Sequence, residues 1–352
     1  MKTIVRQIED IEKDYNAIEL AGEHIRQGKL VAFPTETVYG LGANALDVDA
    51  IREIFRVKGR PMDNPLIVHI ASVADLGKLV TNIPDIARKL IDRYWPGPLT
   101  LVLPRSSLVP REVTAGLDTV AIRMPSHPVA HALIRESGVP IAAPSANSSG
   151  RPSPTLARHV KEDLQGKIPL ILDGGECSVG LESTVLDVSG DRAVILRPGG
   201  ITKEMIEETI GDIEVDDRVL NPPKTGDKLR SPGMKYTHYA PEAPVIIVEG
   251  NIANIPTKVK AMSKQHTLSG KKVAVLATEE TKDEYIDEDL IVLIMGRRKC
   301  PSTIASNLFA LLRQCDEEEV DIIIAEAVEE SHEGLAIMNR MLRAAAFRVV
   351  DA

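Results

Sequence analysis

Cysteine is scarce in this chain of 352 residues: Cys177, Cys300 and Cys315 are odd in number and far apart. That excludes a disulfide framework and suits a reducing compartment, so all three are expected to be packing residues. Aromatic residues make up only 3% of the chain, too few for interleaved rings on which RNA bases could stack. No run of about eighteen apolar residues occurs, and no charged-then-apolar leader follows Met1. Neither a membrane span nor export is expected, and the expected location is cytoplasmic. Positive charge is not in excess either. The formal net charge of -9 argues against a protein built to wrap a nucleic-acid duplex, whose phosphates demand cations.

What is present divides the chain. A single core usually stops growing below this length, so two domains are expected. The seam is 221–244, NPPKTGDKLRSPGMKYTHYAPEAP, which carries five prolines and no apolar periodicity; a connection of this length is expected to be a linker or a lid. Before it, residues 1–220 mix helical stretches (Tyr15 to Gln27, Ile83 to Tyr94, Pro128 to Glu136) with apolar strands such as LVAF, PLIVHI, LTLVL, TVAIRM and AVILRP. Crossovers alternate with direct returns, which predicts a twisted mixed sheet with packed helices. After it, residues 245–352 hold four near-continuous apolar runs, PVIIVEG, KKVAVLAT, DLIVLIM and VDIIIAEA, separated by helical segments. That pattern predicts a smaller, doubly wound, parallel α/β domain of Rossmann-like type.

Three motifs fail. Gly40, Gly42 and Ala45 have dinucleotide-loop spacing, but PTETVY intervenes between strand and glycines, so TVYGLGANA is expected to be a close-packed turn. GEHIRQGKL is one residue too long for a phosphate loop and places Leu30 where a hydroxyl is needed. His127 and His131 have zinc-ligand spacing, but Pro128 replaces the usual glutamate.

Polar segments at strand ends remain, and open α/β sheets collect ligands there. In KGRPMDNPLIVHI, Lys58, Arg60 and Asn64 are stiffened by Pro61 and Pro65 ahead of a strand, which predicts a held anion. Arg123 and Arg197 each close an apolar run before a proline or Met-Pro, as a structural ion pair or an anion site would require. His69 is either a hydrogen-bonded core residue or a ligand contact.

Seven segments in order, FPTETVYGLG, KGRPMDNPLIVHI, WPGPLTLVL, TVAIRMPSHP, APSANSSGRPSPT, GLESTVLDV and LRPGG, resemble the YrdC-like threonylcarbamoyl-AMP synthase family. SPGMKYTHYAP followed by an α/β domain is similar to its two-domain form. The resemblance implies an enzyme, a nucleotidyltransferase, that converts L-threonine, bicarbonate and ATP with Mg2+ into threonylcarbamoyl-AMP and pyrophosphate. The product feeds the tRNA threonylcarbamoyl transferase machinery that modifies the adenosine next to the anticodon.

On that reading Lys58, Arg60 and Asn64 grip the triphosphate, Arg197 is a second phosphate ligand, and Thr119, Ser145, Asn147 and Ser153 are nucleotide contacts. Arg123 offers a planar fork to the threonine carboxylate, and Thr35, Thr37, His69 and Ser183 complete the threonine pocket. Tyr236, in the expected lid, contacts the nucleotide. Magnesium is expected to arrive on ATP rather than in a protein site, and no residue is assigned as general base. The alternatives are an RNA-binding module using a basic concave face, with a weak tRNA contact, and a carbamoyl-phosphate-dependent transferase on the same sheet. Steep salt dependence would mark the first, and independence of bicarbonate the second.

Overall fold

The computed structural model describes residues 1–222, 239–286 and 290–352. The described residues form two compact units, the first made of Met1–Ser149 and Ser153–Val219, the second of Gly150–Pro152, Leu220–Pro222 and the chain from residue 239 onward.

Eleven strands build the first unit: β1 Ile4–Gln7, β2 Val31–Phe33, β3 Gly40–Asn44, β4 Ile67–His69, β5 Leu99–Pro104, β6 Thr119–Arg123, β7 Ile141–Ala142, β8 Leu170–Asp173, β9 Thr184–Asp187, β10 Val194–Arg197 and β11 Glu214–Val215. They form one sheet in the order β1-β8-β2-β3-β7-β4-β6-β5-β9-β10-β11. Its pairings are mixed, parallel for β4 with β6 and β5 with β9, antiparallel for β4 with β7 and β5 with β6. The helices are α1 Tyr15–Arg26, α2 Val48–Lys58, α3 Val73–Leu79, α4 Asp85–Tyr94, α5 Pro128–Ser137, α6 Ala157–Leu164 and α7 Lys203–Ile210. Residues from α2 and α4, with Tyr39, Leu41 and Leu101, make the larger core; α1 and α5 pack with Phe33 and Leu172 in another.

One segment departs from expectation. TVYGLGANA is not a turn but contains β3, paired antiparallel with β2 and β7. Gly40 and Gly42 are needed there because the Phe33 ring lies on that face: a Cβ on Gly42 would stand 2.8 Å from the ring and 2.8 Å from Ile141 Cγ2. Without side chains the strand shows no apolar alternation, which is why its sequence reads as a turn.

Helix α2 delivers a site residue. Asp47 caps it by accepting from the Asp49 and Ala50 amides, and Gly59 ends it in the left-handed region at φ 63°. Its apolar stripe, including Ile51, Ile54 and Phe55, is buried, and the last turn carries Lys58 inward. Helix α5 starts at His127, whose Nδ1 accepts from the Val129 amide, with Pro128 at the first position.

In the second unit, β12 Val245–Glu249, β13 Val273–Thr278, β14 Ile291–Gly296, β15 Ile322–Glu326 and β16 Val349–Asp351 form a sheet in the order β14-β13-β15-β12-β16. Every pairing is parallel, with α8 Ile255–Leu268, α9 Pro301–Glu317 and α10 Glu333–Ala344 between strands. The expected doubly wound architecture is therefore present. Tyr239 packs within this unit, 5.1 Å from the Phe309 ring and 5.6 Å from the Arg340 guanidinium. Tyr236 and most of the expected lid lie outside the described residues. Cys177 and Cys315 are buried as expected, but Cys300 is exposed, because it immediately precedes α9 instead of facing the sheet. Among the described residues no helix is long and apolar enough to cross a membrane.

Candidate active site

The loop after β2 is fixed by its own hydroxyls. Thr35 Oγ1 accepts from the amides of Thr37 and Val38, each at 3.2 Å, and lies 2.8 Å from Thr37 Oγ1. The Val179 amide donates to Glu36 O, and the Tyr39 and Ala146 amides tie the loop to the 144–155 segment. Three sequence-distant loops thus meet at one end of the sheet.

Arg123, at the end of β6, is turned into this region. Nη1 donates to Thr37 Oγ1 at 2.8 Å and Nε to Gly97 O at 3.2 Å. Nη2 stands 2.8 Å from Glu36 Oε1. Arg123 is 3% exposed and Glu36 7%. Of the two alternatives raised by the sequence, the structure shows the ion pair: the arginine is paired with a buried carboxylate, at a place where polar groups converge. His69 is its direct neighbour across the β4–β6 ladder, edge-on to Phe33 with ring centroids 6.3 Å apart.

Burial, and secondarily the Arg123 charge, lowers the His69 pKa from 6.5 to about 3, so the imidazole is neutral at physiological pH. The unfolded chain binds this proton below about pH 6.5 and the native chain does not, so His69 destabilises the fold progressively as pH falls from 6.5 toward 3. Its expected slope is about 1.4 kcal/mol per pH unit. Urea unfolding between pH 7 and 4 should show that slope diminished in His69→Gln; parallel stability curves would refute it.

The ladder continues to Ser183. Thr100 faces Arg123 across β5–β6, and its Oγ1 lies 2.7 Å from Ser183 Oγ. Arg197 donates Nε and Nη2 to Ser183 O at 3.2 and 3.0 Å. His69, Arg123, Ser183 and Arg197 thus lie in sequence across the sheet, with Thr35 and Thr37 above.

The second cluster is built on Lys58. Its Nζ donates to Ser145 O and Asn147 O at 2.5 Å each, and Ser145 Oγ donates to Asn147 Oδ1. Ser153 Oγ, fully buried, donates to a Glu182 carboxylate oxygen. Arg60 is half-buried, its guanidinium 5.9 Å from the centre of the Phe55 ring and Nη2 3.4 Å from Asn64 O. Asn64 is fully buried. Thr119 stands at the other end of β6 from Arg123, paired with Pro104.

Among the described residues, several buried polar atoms have no well-aligned hydrogen-bond partner: both oxygens of Glu36 and Arg123 Nη2, which lie at ion-pair distance from each other, His69 Nδ1, and both side-chain atoms of Asn64. Native interiors pair such groups; those of Arg123 and His69 stand at the C-terminal ends of β6 and β4, and those of Asn64 precede the start of β4. Two cavities of about 550 Å³, one between α3 and α5 and one against α1 and α5, are lined by none of the expected residues; His131 lines both. The sequence reading missed Glu36, Thr100 and Glu182. Glu36 sits inside PTETVYG, but only its contact with a residue 87 positions later shows its use.

These features define a mixed-sheet α/β domain of the enzyme type, with buried charged and polar side chains gathered at its strand ends, followed by a parallel α/β domain. The chain belongs to the Sua5/YciO/YrdC family: residues 23–199 match the model described as telomere recombination, and 201–346 the one described as threonylcarbamoyl-AMP synthase, C-terminal domain. It is 51% identical over 333 residues to the threonylcarbamoyl-AMP synthase of Pyrococcus abyssi, covering 95% of each chain. It is 52% identical over 335 residues to that of Bacillus subtilis, covering 95% of this chain and 94% of the relative. The crystal structure of P. abyssi Sua5 complexed with L-threonine superposes with a TM-score of 0.93 at 50% identity, covering 99% of this chain and all of that one.

Proposed function

We propose that this chain is a threonylcarbamoyl-AMP synthase acting in the cytoplasm, a nucleotidyltransferase that uses L-threonine, bicarbonate and ATP. The observation that carries the reading is the buried Arg123–Glu36 pair beside Thr37 and His69, in a chain about half identical to proteins named for that activity. Arg123, Thr35, Thr37, His69 and Ser183 form the threonine pocket. Lys58, Arg60, Asn64, Arg197 and the Ser145–Asn147 turn hold ATP, with Thr119, Ser153 and Tyr236 as further contacts. Magnesium enters with ATP as part of that substrate; the site as described is cationic and amide-rich rather than a carboxylate cage.

The chemistry needs no protein nucleophile. The threonine amine forms an N–C bond to the bicarbonate carbon with loss of water, and a carbamate oxygen then attacks the α-phosphorus of ATP as pyrophosphate leaves. The protein orients three reactants and balances their charge. The product is a mixed anhydride suited to transfer onto tRNA adenosine by a separate transferase. The test is pyrophosphate release by the purified chain: it should require threonine and bicarbonate together. Release that needs neither would leave only an ATPase, and RNA binding falling steeply with salt in place of turnover would favour the RNA-binding module.

A further inference from the structure

Glu36 is a buried ionisable group, in contact with Arg123, to which the reading above gives no task. Among the described residues its carboxylate pairs with the Arg123 guanidinium at 2.8 Å, with further support from the Glu36 and Ser126 amides. The other guanidinium nitrogens are committed to Thr37 Oγ1 and Gly97 O, so Nη2 is the edge left to meet Glu36. Backbone on both sides is pinned, by the Thr35 hydroxyl and by the Val179 amide on Glu36 O. The side chain is therefore the element free to re-pair.

The other titratable groups bearing on Glu36 are uncharged. His69 and His127 are both held below their ordinary pKa by burial, and burial pushes the neighbouring Cys177 thiol up. Burial alone would raise the Glu36 pKa, but the Arg123 charge and hydrogen bond, helped by the Glu36 and Ser126 amides, hold it below 4.5. Among the described residues, the charged groups in direct contact at this point are the Glu36 carboxylate and the Arg123 guanidinium, both buried.

A zwitterionic α-amino acid carries the same two charges in complementary order. We propose that Glu36 is the ammonium subsite of the amino-acid pocket: the incoming substrate exchanges with the internal Glu36–Arg123 pair, its carboxylate meeting Arg123 and its ammonium meeting Glu36. The exchange leaves no buried charge unpaired, whereas an amino acid lacking either charge strands one. The proposal rests on the reading that threonine occupies this pocket, and it adds a recognition rule: Glu36 selects for a free α-ammonium.

The test is calorimetric binding of L-threonine, N-acetyl-L-threonine and threonine methyl ester to the full chain and to Glu36→Gln, with ATP affinity and thermal melting recorded on the same samples. The wild-type chain is expected to bind threonine and to reject both blocked forms. Glu36→Gln is expected to bind threonine roughly 10- to 100-fold more weakly, the loss of one charge-assisted contact. Its ATP affinity should stay within about twofold, as expected for a contact made to threonine alone, and its preference for threonine over the N-acetyl form should shrink. If Glu36 merely fills the place of the substrate carboxylate, Glu36→Gln frees Arg123 and threonine binds as well or better, which overturns the proposal alone. Should the wild-type chain bind ATP but no threonine, the threonine reading itself falls. A Glu36→Gln protein that melts early is tested as Glu36→Asp, which keeps the charge on a shorter stem and must retain rejection of the N-acetyl form.

Discussion

Arg123→Ala loses threonine binding beyond measurement and costs the native fold about 3 to 5 kcal/mol, the range for breaking a buried ion pair by removing one partner. Two causes add. The substitution removes the guanidinium proposed to take the threonine carboxylate, and it leaves the Glu36 carboxylate, 7% exposed, without its counter-charge. It also deletes the bonds to Thr37 Oγ1 and Gly97 O that brace the pocket wall. Urea unfolding and threonine titration on one preparation check both halves. Arg123→Lys should restore part of the stability and little of the binding, because a point charge cannot reproduce the fork. A loss below about 1 kcal/mol would place Arg123 outside the class of required buried pairs, and unchanged threonine affinity would deny it the carboxylate.

Lys58→Met carries the second large effect, directed at ATP. The Lys58 ammonium gathers the carbonyls of Ser145 and Asn147, so it fixes the turn proposed to touch the nucleotide as well as supplying charge. Methionine keeps most of the stem and removes the charge and donors. ATP affinity should fall about 100-fold, equivalent to about 2.7 kcal/mol, while threonine binding measured without ATP changes little. Equal weakening of both ligands would mean that Lys58 supports the fold rather than the nucleotide.

The sequence exposes most of this architecture because its strands are nearly continuous apolar runs. LTLVL and TVAIRM are β5 and β6, and VDIIIAEA contains β15. Strands without that signal are not legible in the sequence. Strand β1 is exposed along its whole length, and β3 owes its place to glycines that admit the Phe33 ring. Helix α2 carries readable marks, an Asp47 cap and a Gly59 stop, on either side of its cationic last turn.

The site divides along the same line. Cations closing apolar runs stand out, since burying one without a partner is costly. Lys58, Arg123 and Arg197 were therefore visible one at a time. Their partners were not, because Ser183 meets Arg197 and Glu36 meets Arg123 only through sheet order. That order places β6, β5, β9 and β10 side by side, and the loop after β2 reaches Arg123 from 87 positions away. Glu36 alone in PTETVYG looks like any loop carboxylate; beside Arg123 it becomes half of a buried pair.

The most direct test of the whole account follows the carbon. The full chain is incubated with ATP, L-threonine and 13C-labelled bicarbonate, and the nucleotide products are resolved by mass spectrometry. One adenylate is expected, with the mass of AMP joined to threonine through a labelled carbonyl, formed in step with pyrophosphate and absent when threonine is replaced by N-acetyl-L-threonine. An adenylate of threonine without the labelled carbon, or AMP and pyrophosphate with no adduct under any combination of the three substrates, would contradict it.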